Sequence, residues 1–183
     1  YSEENVRNIQ KFCKTLDVPL HVASFNKNYG NSVCYITSVL EEKGTKLGTC
    51  TVCGVLRRRL LNKSAKELGA TKVALGHNLD DECQSIIMNQ FKNNISLNAR
   101  LRPNSGIKKN KEMVQRIKPL YLCTEKEVAT YAYIKGLLRG FNECPNMPLS
   151  QRSKIRDMLN DMENEYSGTK YSIVNSFLQI LPE

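Results

Sequence analysis

Residues 69–82 read GATKVALGHNLDDE, and this stretch decides the fold. The glycine at 69 predicts a turn, and the apolar run 72–75 predicts a short buried strand that ends at Gly76. A helix is then predicted over 79–91. Helices on both sides of a buried strand are typical of an α/β protein.

Outward from this stretch, helical periodicity predicts further helices over 33–43, which Gly44 closes, and over 52–68. The segment LHVASF at 20–25 predicts a second short strand. The region 93–118 lacks periodicity and is interpreted as a long loop. Helices are also predicted near both ends of the chain, over 2–16, 125–135, 149–163 and 171–180. We therefore predict an open, mostly parallel sheet with a helical C-terminal part.

The composition limits the function classes. The chain has 183 residues, a formal net charge of +9 and seven cysteines. No apolar run is long enough to span a bilayer, so a membrane protein is not expected. The positive charge favours a polyanionic partner such as nucleic acid. An odd number of irregularly spaced cysteines is typical of a reduced compartment, so we expect a cytoplasmic protein.

The end of the predicted strand at 72–75 is a candidate ligand site, because open α/β sheets bind ligands at the carboxyl ends of strands. Gly76 would let a ligand approach the backbone. Asp80 and Asp81 could hold Mg²⁺ or orient a reacting group. The alternative is an ordinary helix start, with an Asn or Asp cap and acidic residues that complement the helix dipole. The heptad GHNLDDE by itself favours the cap.

The second candidate site is CTVCGVLRRR at 50–59. Cys50 and Cys53 form a Cys-x-x-Cys pair, which is found in redox sites, zinc sites and iron–sulfur sites. A complete metal site needs further ligands, and Cys144 in a Pro-containing loop is a better candidate than Cys123. Three cysteines without a fourth would suit a cluster with one open iron. A redox pair needs no third thiol.

Arg57 follows Cys53 by four residues, so both side chains are predicted on one face of a helix. A guanidinium there could bind a phosphate through two N–H groups. The alternative is a solvated basic helix face.

Four segments in order resemble the TtcA/TtuA family of tRNA 2-thiolation enzymes, especially its archaeal and eukaryotic cytoplasmic branch. They are CTVCGVLRRRLLNKSAKELGATKVALGHNLDDE, RIKPL, EKEVATYA and NECP. Members of that family are PP-loop ATPases. The resemblance implies a PP-loop fold, adenylation of the C2 oxygen of a tRNA uridine, and replacement of that oxygen by sulfur.

Carried over position by position, the resemblance makes Cys50, Cys53 and Cys144 the ligands of a [4Fe–4S] cluster whose fourth iron would bind sulfide. Arg57 and Gly76 match nucleotide-contacting positions. Asp81 matches a catalytic aspartate, and Asp80 lies beside it. The implied cofactors are the cluster, ATP and Mg²⁺.

Two family features have no match in residues 1–183. These are the phosphate loop Ser-Gly-Gly-x-Asp-Ser and the zinc-binding cysteine pairs at both ends. Because the chain starts at Tyr1 within a pattern, we expect both to lie outside it. The chain would then be a single PP-loop catalytic domain without its phosphate-loop strand, and residues 149–183 would be a helical tail of that domain.

The implied partners are tRNA and a sulfur donor, either a ubiquitin-like thiocarboxylate carrier or free sulfide, and the enzyme is expected to be a homodimer. The wobble uridine is the favoured position. Basic residues in the predicted loop suit contacts with the tRNA backbone, the alternative being a solubilising loop. They are Arg100, Arg102, Lys108, Lys109, Lys111, Arg116 and Lys118, against one acidic residue, Glu112.

Two other functions remain open. One is a dithiol oxidoreductase that uses Cys50 and Cys53 at a helix N-terminus, and the other is a zinc-stapled RNA-binding module. The remaining cysteines are expected to have no role in the site, and three of them are expected to be buried. They are Cys13, Cys34, Cys83 and Cys123. Cys123 precedes a predicted helix and could instead reach the same cleft as Cys144.

Overall fold

The computed structural model describes residues 2–105, 113–137, 144, 146–148 and 150–181. The chain divides into two compact units. The first comprises Tyr1–Gly69 and Gly136–Met147, and the second comprises Ala70–Lys135 and Pro148–Glu183. The expectation of a single domain over 1–183 stays a prediction, and the units are described one at a time.

The described helices of the first unit lie in its N-terminal segment. Helix α3 (Val33–Glu42) begins after Ser32, whose hydroxyl accepts a hydrogen bond from the backbone N–H of Tyr35 at 3.2 Å. It ends before Gly44, where a φ of +80° favours glycine, as the sequence predicted. The four helices are α1 (Ser2–Thr15), α2 (Phe25–Tyr29), α3 (Val33–Glu42) and α4 (Thr49–Glu67).

Helix α4 begins at Thr49, three residues before its predicted start, so that both thiols of the Cys-x-x-Cys pair lie in its first two turns. The buried residues of the helix are Val52, Leu60 and Ala65. The hydroxyl of Tyr29 donates to the backbone oxygen of Leu56 at 3.1 Å and so ties α2 to α4.

The strand predicted at 20–25 is wrong. Residues 18–24 belong to no helix or strand, and α2 already begins at Phe25. The apolar side chains of Val18 and Val22 are 51% and 56% exposed. Extended backbone forms a strand only where a neighbouring strand pairs its N–H and C=O groups, and the described residues of this unit form none.

The second unit contains a three-stranded sheet in the order β1-β3-β2. Strand β1 (Lys72–Ala74) lies parallel to β3 (Gln115–Ile117), with Val73 opposite Arg116. Strand β2 (Asn104–Ser105) runs antiparallel to β3. The predicted α/β class is confirmed, and the parallel pair includes the strand that the sequence placed at 72–75. The prediction that this strand is buried is wrong, because Lys72 and Ala74 are exposed and Val73 is half-buried.

Helix α5 (Leu79–Phe91) lies at the centre of the second unit and has the predicted bounds. It packs against α8 (Gln151–Glu165) and α9 (Thr169–Ile180), which are the helices of the predicted C-terminal part. Apolar side chains from these three helices form the core together with Tyr121. They are Leu79, Cys83, Ile86, Ile155, Leu159, Val174 and Phe177.

The long loop predicted at 93–118 is wrong in part. It contains α6 (Ile95–Asn98), β2 and β3, of which β3 is the central strand. The sequence of β3, QRI, is short and has two polar residues, so it carries no strand pattern. Helix α7 (Glu125–Ile134) follows, with the predicted start.

Candidate functional site

The carboxyl end of β1 leads directly into open space. Directly after β1, the N–H of Leu75 donates to the carbonyl oxygen of Ile117 in β3 at 2.9 Å. Gly76 follows, and a Cβ built on it would meet no atom within 4 Å. The position thus has free space beside its backbone, and the approach of a ligand here stays a prediction.

Asp81 is part of a capping box at the start of α5. Its N–H donates to Asn78 Oδ1 at 3.0 Å, and its Oδ2 accepts from the N–H of Asn78 at 3.2 Å. The helix cap that the heptad predicts is therefore present, and it uses one carboxylate oxygen of Asp81. The side chain is nevertheless 34% exposed, so it also faces solvent at the end of β1.

The second carboxylate oxygen of Asp81 is bound by a residue that sequence reasoning missed. Arg152 of α8 donates from Nη1 to Asp81 Oδ1 at 3.1 Å. It also donates to Gln84 Oε1 at 3.2 Å and to Ser85 Oγ at 3.1 Å. Arg152 lies 71 residues from Asp81, so only the tertiary fold could reveal this pair.

Asp80 points in a different direction, into the core. It is 4% exposed and forms an ion pair with Lys170 of α9, which is 8% exposed. Its second oxygen accepts the backbone N–H of Glu125 at 2.7 Å, at the start of α7. Lys170 also donates to Asn160 Oδ1 at 2.7 Å. These contacts favour a structural role for Asp80 over the predicted catalytic one.

Glu82 completes a row of three acidic residues with three different partners. It is 2% exposed and forms an ion pair with Lys118 at 2.7 Å. Lys118 was assigned to the tRNA-binding loop from the sequence, but its ammonium neutralises a buried carboxylate. Of the other residues in that loop, Lys108, Lys109, Lys111 and Glu112 lie outside the described residues.

The surroundings of Glu125 disfavour its ionised form. Burial, followed by the nearby carboxylates of Asp80 and Asp81, raises the pKa of the Glu125 carboxyl above its usual value, while Arg156 and Lys170 oppose the shift. Glu125 therefore favours its protonated form more than an isolated glutamate does.

The thiols of the first unit form the second candidate site. Cys50 is exposed and Cys53 is half-buried, and both lie in the first two turns of α4. Arg57 donates from Nη2 to Cys53 Sγ at 3.4 Å. The prediction that these two side chains share one helix face is confirmed.

Cys144 is exposed and belongs to the same compact unit, because Gly136–Met147 groups with Tyr1–Gly69. Its carbonyl accepts the N–H of Met147 at 2.9 Å, which forms a turn. Within the described ranges, no three His, Cys, Asp or Glu side chains form a group that could hold a metal ion. The geometry thus brings Cys50 and Cys53 together but does not complete a three-thiol set.

The remaining cysteines have different environments. Cys83 is buried in the core, and burial raises the pKa of its thiol from 9.0 to about 12. Cys13 and Cys123 are half-buried. Cys34 is exposed, so the prediction that it is a buried core residue is wrong. It lies in α3, whose one buried residue is Thr37.

Residues 1–162 match the model of the PP-loop domain family. The chain is similar to a U34-tRNA thiolase NcsA from Methanococcus maripaludis, whose structure contains its [4Fe–4S] cluster. The TM-score is 0.83 at 30% sequence identity, and the match covers 98% of this chain and 58% of that chain.

Among curated proteins, the chain is 32% identical to tRNA 2-thiolation protein NcsA of Haloferax volcanii, with 98% of this chain and 57% of the relative covered. It is 31% identical to tRNA-5-methyluridine(54) 2-sulfurtransferase of Pyrococcus horikoshii, over 98% and 55%. It is 30% identical to cytoplasmic tRNA 2-thiolation protein 1 of Danio rerio, over 96% and 50%. The chain thus spans little more than half of the length of these relatives.

None of the helices in the described part of the chain combines the length and the apolar character that a bilayer-spanning segment needs.

Proposed function

The chain belongs to the PP-loop domain family, and from this premise we propose that its protein is an ATP-dependent tRNA-uridine 2-sulfurtransferase. The observation that carries the proposal is the 0.83 TM-score, over 98% of the chain, to a tRNA thiolase that contains a [4Fe–4S] cluster. Relatives from two archaea and a fish carry names of the same activity.

The reaction has two steps. The C2 oxygen of a uridine attacks the α-phosphate of ATP, which forms an adenylated base and releases pyrophosphate. Sulfide then attacks C2, and AMP leaves with the original oxygen. The wobble uridine is the proposed target, and the similar structure from Methanococcus maripaludis is a U34-tRNA thiolase.

Cys50, Cys53 and Cys144 are the proposed ligands of a [4Fe–4S] cluster. Their chemistry fits, because thiolates are the usual ligands of such clusters, and all three belong to one compact unit with at least part of their surface accessible. When bound, the cluster would supply an open iron that accepts sulfide. Arg57 contacts the sulfur of Cys53 and would help to position it.

Gly76 and Asp81 are the proposed nucleotide-site residues of the second unit. The proposal that Arg57 of the first unit contacts a nucleotide rests on the family resemblance alone. The open space at Gly76 and the partly exposed carboxylate of Asp81 support a ligand at the end of β1. Asp81 would orient the reacting groups or the Mg²⁺ that accompanies ATP. Asp80 was predicted as a second catalytic residue, and we now propose that it anchors α7 and α9 to α5.

The proposed partners are tRNA and a sulfur donor, either a ubiquitin-like thiocarboxylate carrier or free sulfide, and the proposed assembly is a homodimer in the cytoplasm. The net charge of +9 supports binding of a polyanion. Zinc in segments beyond residues 1–183 also stays a prediction.

The direct test is thiolation of unmodified tRNA by the full-length protein. The cluster is reconstituted without oxygen, ATP and sulfide are added, and nucleosides are analysed by mass spectrometry. We expect 2-thiouridine only when ATP is present, and digestion with a sequence-specific ribonuclease locates it at the wobble position. A protein with a full cluster that makes no thiouridine contradicts the proposal.

One observation favours a second function. Cys50 and Cys53 lie three residues apart in the first two turns of α4, and dithiol oxidoreductases also use this Cys-x-x-Cys spacing. Metal analysis separates the two functions, since an oxidoreductase of this kind contains no iron, and a zinc-stapled RNA-binding module would contain zinc.

A further inference from the structure

We propose that Arg152 is a positioning residue for Asp81, and this inference rests on the proposed function of Asp81 in the thiolation reaction. Arg152 lies in the first turn of α8, outside every motif that the sequence identified. Its guanidinium donates to Asp81, Gln84 and Ser85, so its effect would be exerted through the carboxylate of Asp81.

The contacts fix both ends of the Asp81 carboxylate. The N–H of Asn78 binds Oδ2 at 3.2 Å, and Arg152 Nη1 binds Oδ1 at 3.1 Å. One hydrogen bond leaves a carboxylate free to rotate about its last side-chain torsion. The second bond, from a different helix, removes that freedom and sets the direction in which the remaining lone pairs point.

Arg152 is itself held at two further points. Gln84 Oε1 accepts from Nη1 at 3.2 Å, and Ser85 Oγ accepts from Nη2 at 3.1 Å. The Ser85 hydroxyl in turn donates to the backbone oxygen of Asp81 at 2.7 Å. Asp81, Gln84 and Ser85 lie on one face of α5, because they are spaced three and four residues apart. The planar guanidinium therefore matches a preformed set of acceptors.

The energetics argue against a purely structural purpose. The side chains of Arg152 and Asp81 are 39% and 34% exposed. Ion pairs in contact with water contribute roughly 0–1 kcal/mol to stability. The buried pairs of Asp80 and Glu82 hold α5 in place already. The three hydrogen bonds of Arg152 therefore mainly restrict the orientation of the Asp81 carboxylate.

Precision matters for catalysis, since a misplacement of about 1 Å can lower the rate by about 100-fold. We expect Arg152→Gln to lower kcat for tRNA thiolation by roughly 10- to 100-fold. Because Arg152 acts through Asp81, Arg152→Gln should raise the Kd for ATP no more than Asp81→Asn does. Arg152→Lys restores the charge without the planar fork and should recover part of the rate.

The experiment uses the full-length, cluster-loaded protein and measures kcat, the Kd for ATP and the melting temperature. Lys154→Gln is the matched control, because it removes one positive charge from an exposed position of the same helix and should leave kcat unchanged. The double variant Arg152→Gln/Asp81→Asn should be no slower than Asp81→Asn alone, because the two residues act as one unit.

A full kcat in Arg152→Gln would overturn the inference, and so would a double variant whose two losses multiply. A rise in the Kd for ATP that is larger in Arg152→Gln than in Asp81→Asn would also overturn it, because Arg152 would then contact the nucleotide itself. These results leave an active wild type and the proposed function intact. A wild-type protein that forms no thiouridine would refute the proposed function and this inference with it.

Discussion

Asp80 and Asp81 are neighbours in sequence but have opposite environments. Asp80 is buried with Lys170 as its partner, whereas Asp81 faces solvent between Asn78 and Arg152. Adjacent residues in a helix point about 100° apart, so one carboxylate enters the core while the other faces the end of β1. The sequence motif alone does not distinguish them.

This difference predicts opposite effects of alanine substitutions. Asp80→Ala leaves the Lys170 ammonium buried without its partner and should lower the free energy of unfolding by about 3–5 kcal/mol. Asp81→Ala removes part of a capping box and should cost about 1 kcal/mol, while it abolishes thiolation. Urea denaturation measures both values. Equal losses in the two variants would contradict the assignment of Asp80 to the structure and Asp81 to the site.

Gly76 should tolerate a methyl group sterically. A Cβ there meets no atom within 4 Å, so Gly76→Ala should leave the melting temperature nearly unchanged. The same methyl group would occupy the space proposed for the nucleotide, so the Kd for ATP should rise. Equilibrium dialysis with labelled ATP measures this effect, and unchanged binding would remove Gly76 from the proposed site.

The cysteines should differ in reactivity towards iodoacetamide. Burial raises the pKa of Cys83 from 9.0 to about 12, and a shift of three pKa units lowers the thiolate fraction by about 1,000-fold. Because the thiolate is the reactive form, exposed Cys34 should be alkylated at pH 8 long before Cys83. Peptide mass spectrometry measures the order. Equal rates in the folded protein would contradict the burial of Cys83, and unfolding in urea should equalise them.

Helix α7 has a pH-dependent start. The backbone N–H and the hydroxyl of Thr124 donate to Glu127 at 2.7 and 2.9 Å, and these bonds lower the pKa of the Glu127 carboxyl below its usual value. A lowered pKa in the folded state means that the ionised form contributes stability above the unfolded-state value of 4.5. That contribution is lost as the pH falls through the folded-state value.

Glu127→Gln should therefore lower the urea midpoint at pH 7, and the difference from wild type should shrink in acid. Glu125→Gln in the same helical turn is a control of opposite sign. The pKa of Glu125 is raised in the folded state, so its ionised form opposes folding above pH 4.5 and the substitution should raise the midpoint at pH 7. Midpoints that do not change with pH in either variant would contradict both assignments.

A local sequence pattern predicts a helix or strand correctly where the tertiary environment supports the same structure. Helix α5 has the predicted bounds, because Asn78 caps its start and its apolar residues face the core. Strand β3 could not be predicted, since three residues with two polar side chains form a strand only through pairing with β1 and β2. The apolar alternation at 20–25 has no such neighbour in the described part of its unit and forms no strand.

Partners that are distant in sequence could not be predicted for the candidate site either. Three consecutive acidic residues, Asp80, Asp81 and Glu82, bind three basic residues from three different segments. The partners are Lys170, Arg152 and Lys118, at sequence separations of 90, 71 and 36 residues. The sequence predicted Asp80, Asp81 and the thiols as candidates, but the fold decides which carboxylate is neutralised in the core and which remains at the surface.

The same pairing changes the interpretation of the positive charge. The chain carries a formal net charge of +9, and two of its lysines, Lys118 and Lys170, neutralise buried carboxylates. They stabilise the second unit and are not available to a polyanion. The proposed binding of tRNA would therefore depend on other basic residues.

The central claim is that Cys50, Cys53 and Cys144 hold a [4Fe–4S] cluster in a tRNA thiolase. The most direct measurement is the iron and acid-labile sulfide content of the full-length protein after reconstitution without oxygen, in wild type and in single Ser variants of these cysteines. The exposed thiol of Cys34 provides the matched control. We predict about four iron and four sulfide per chain in wild type and in Cys34→Ser, and strong loss in Cys50→Ser, Cys53→Ser and Cys144→Ser. A Cys144→Ser protein that keeps its full iron and sulfide content would contradict the account.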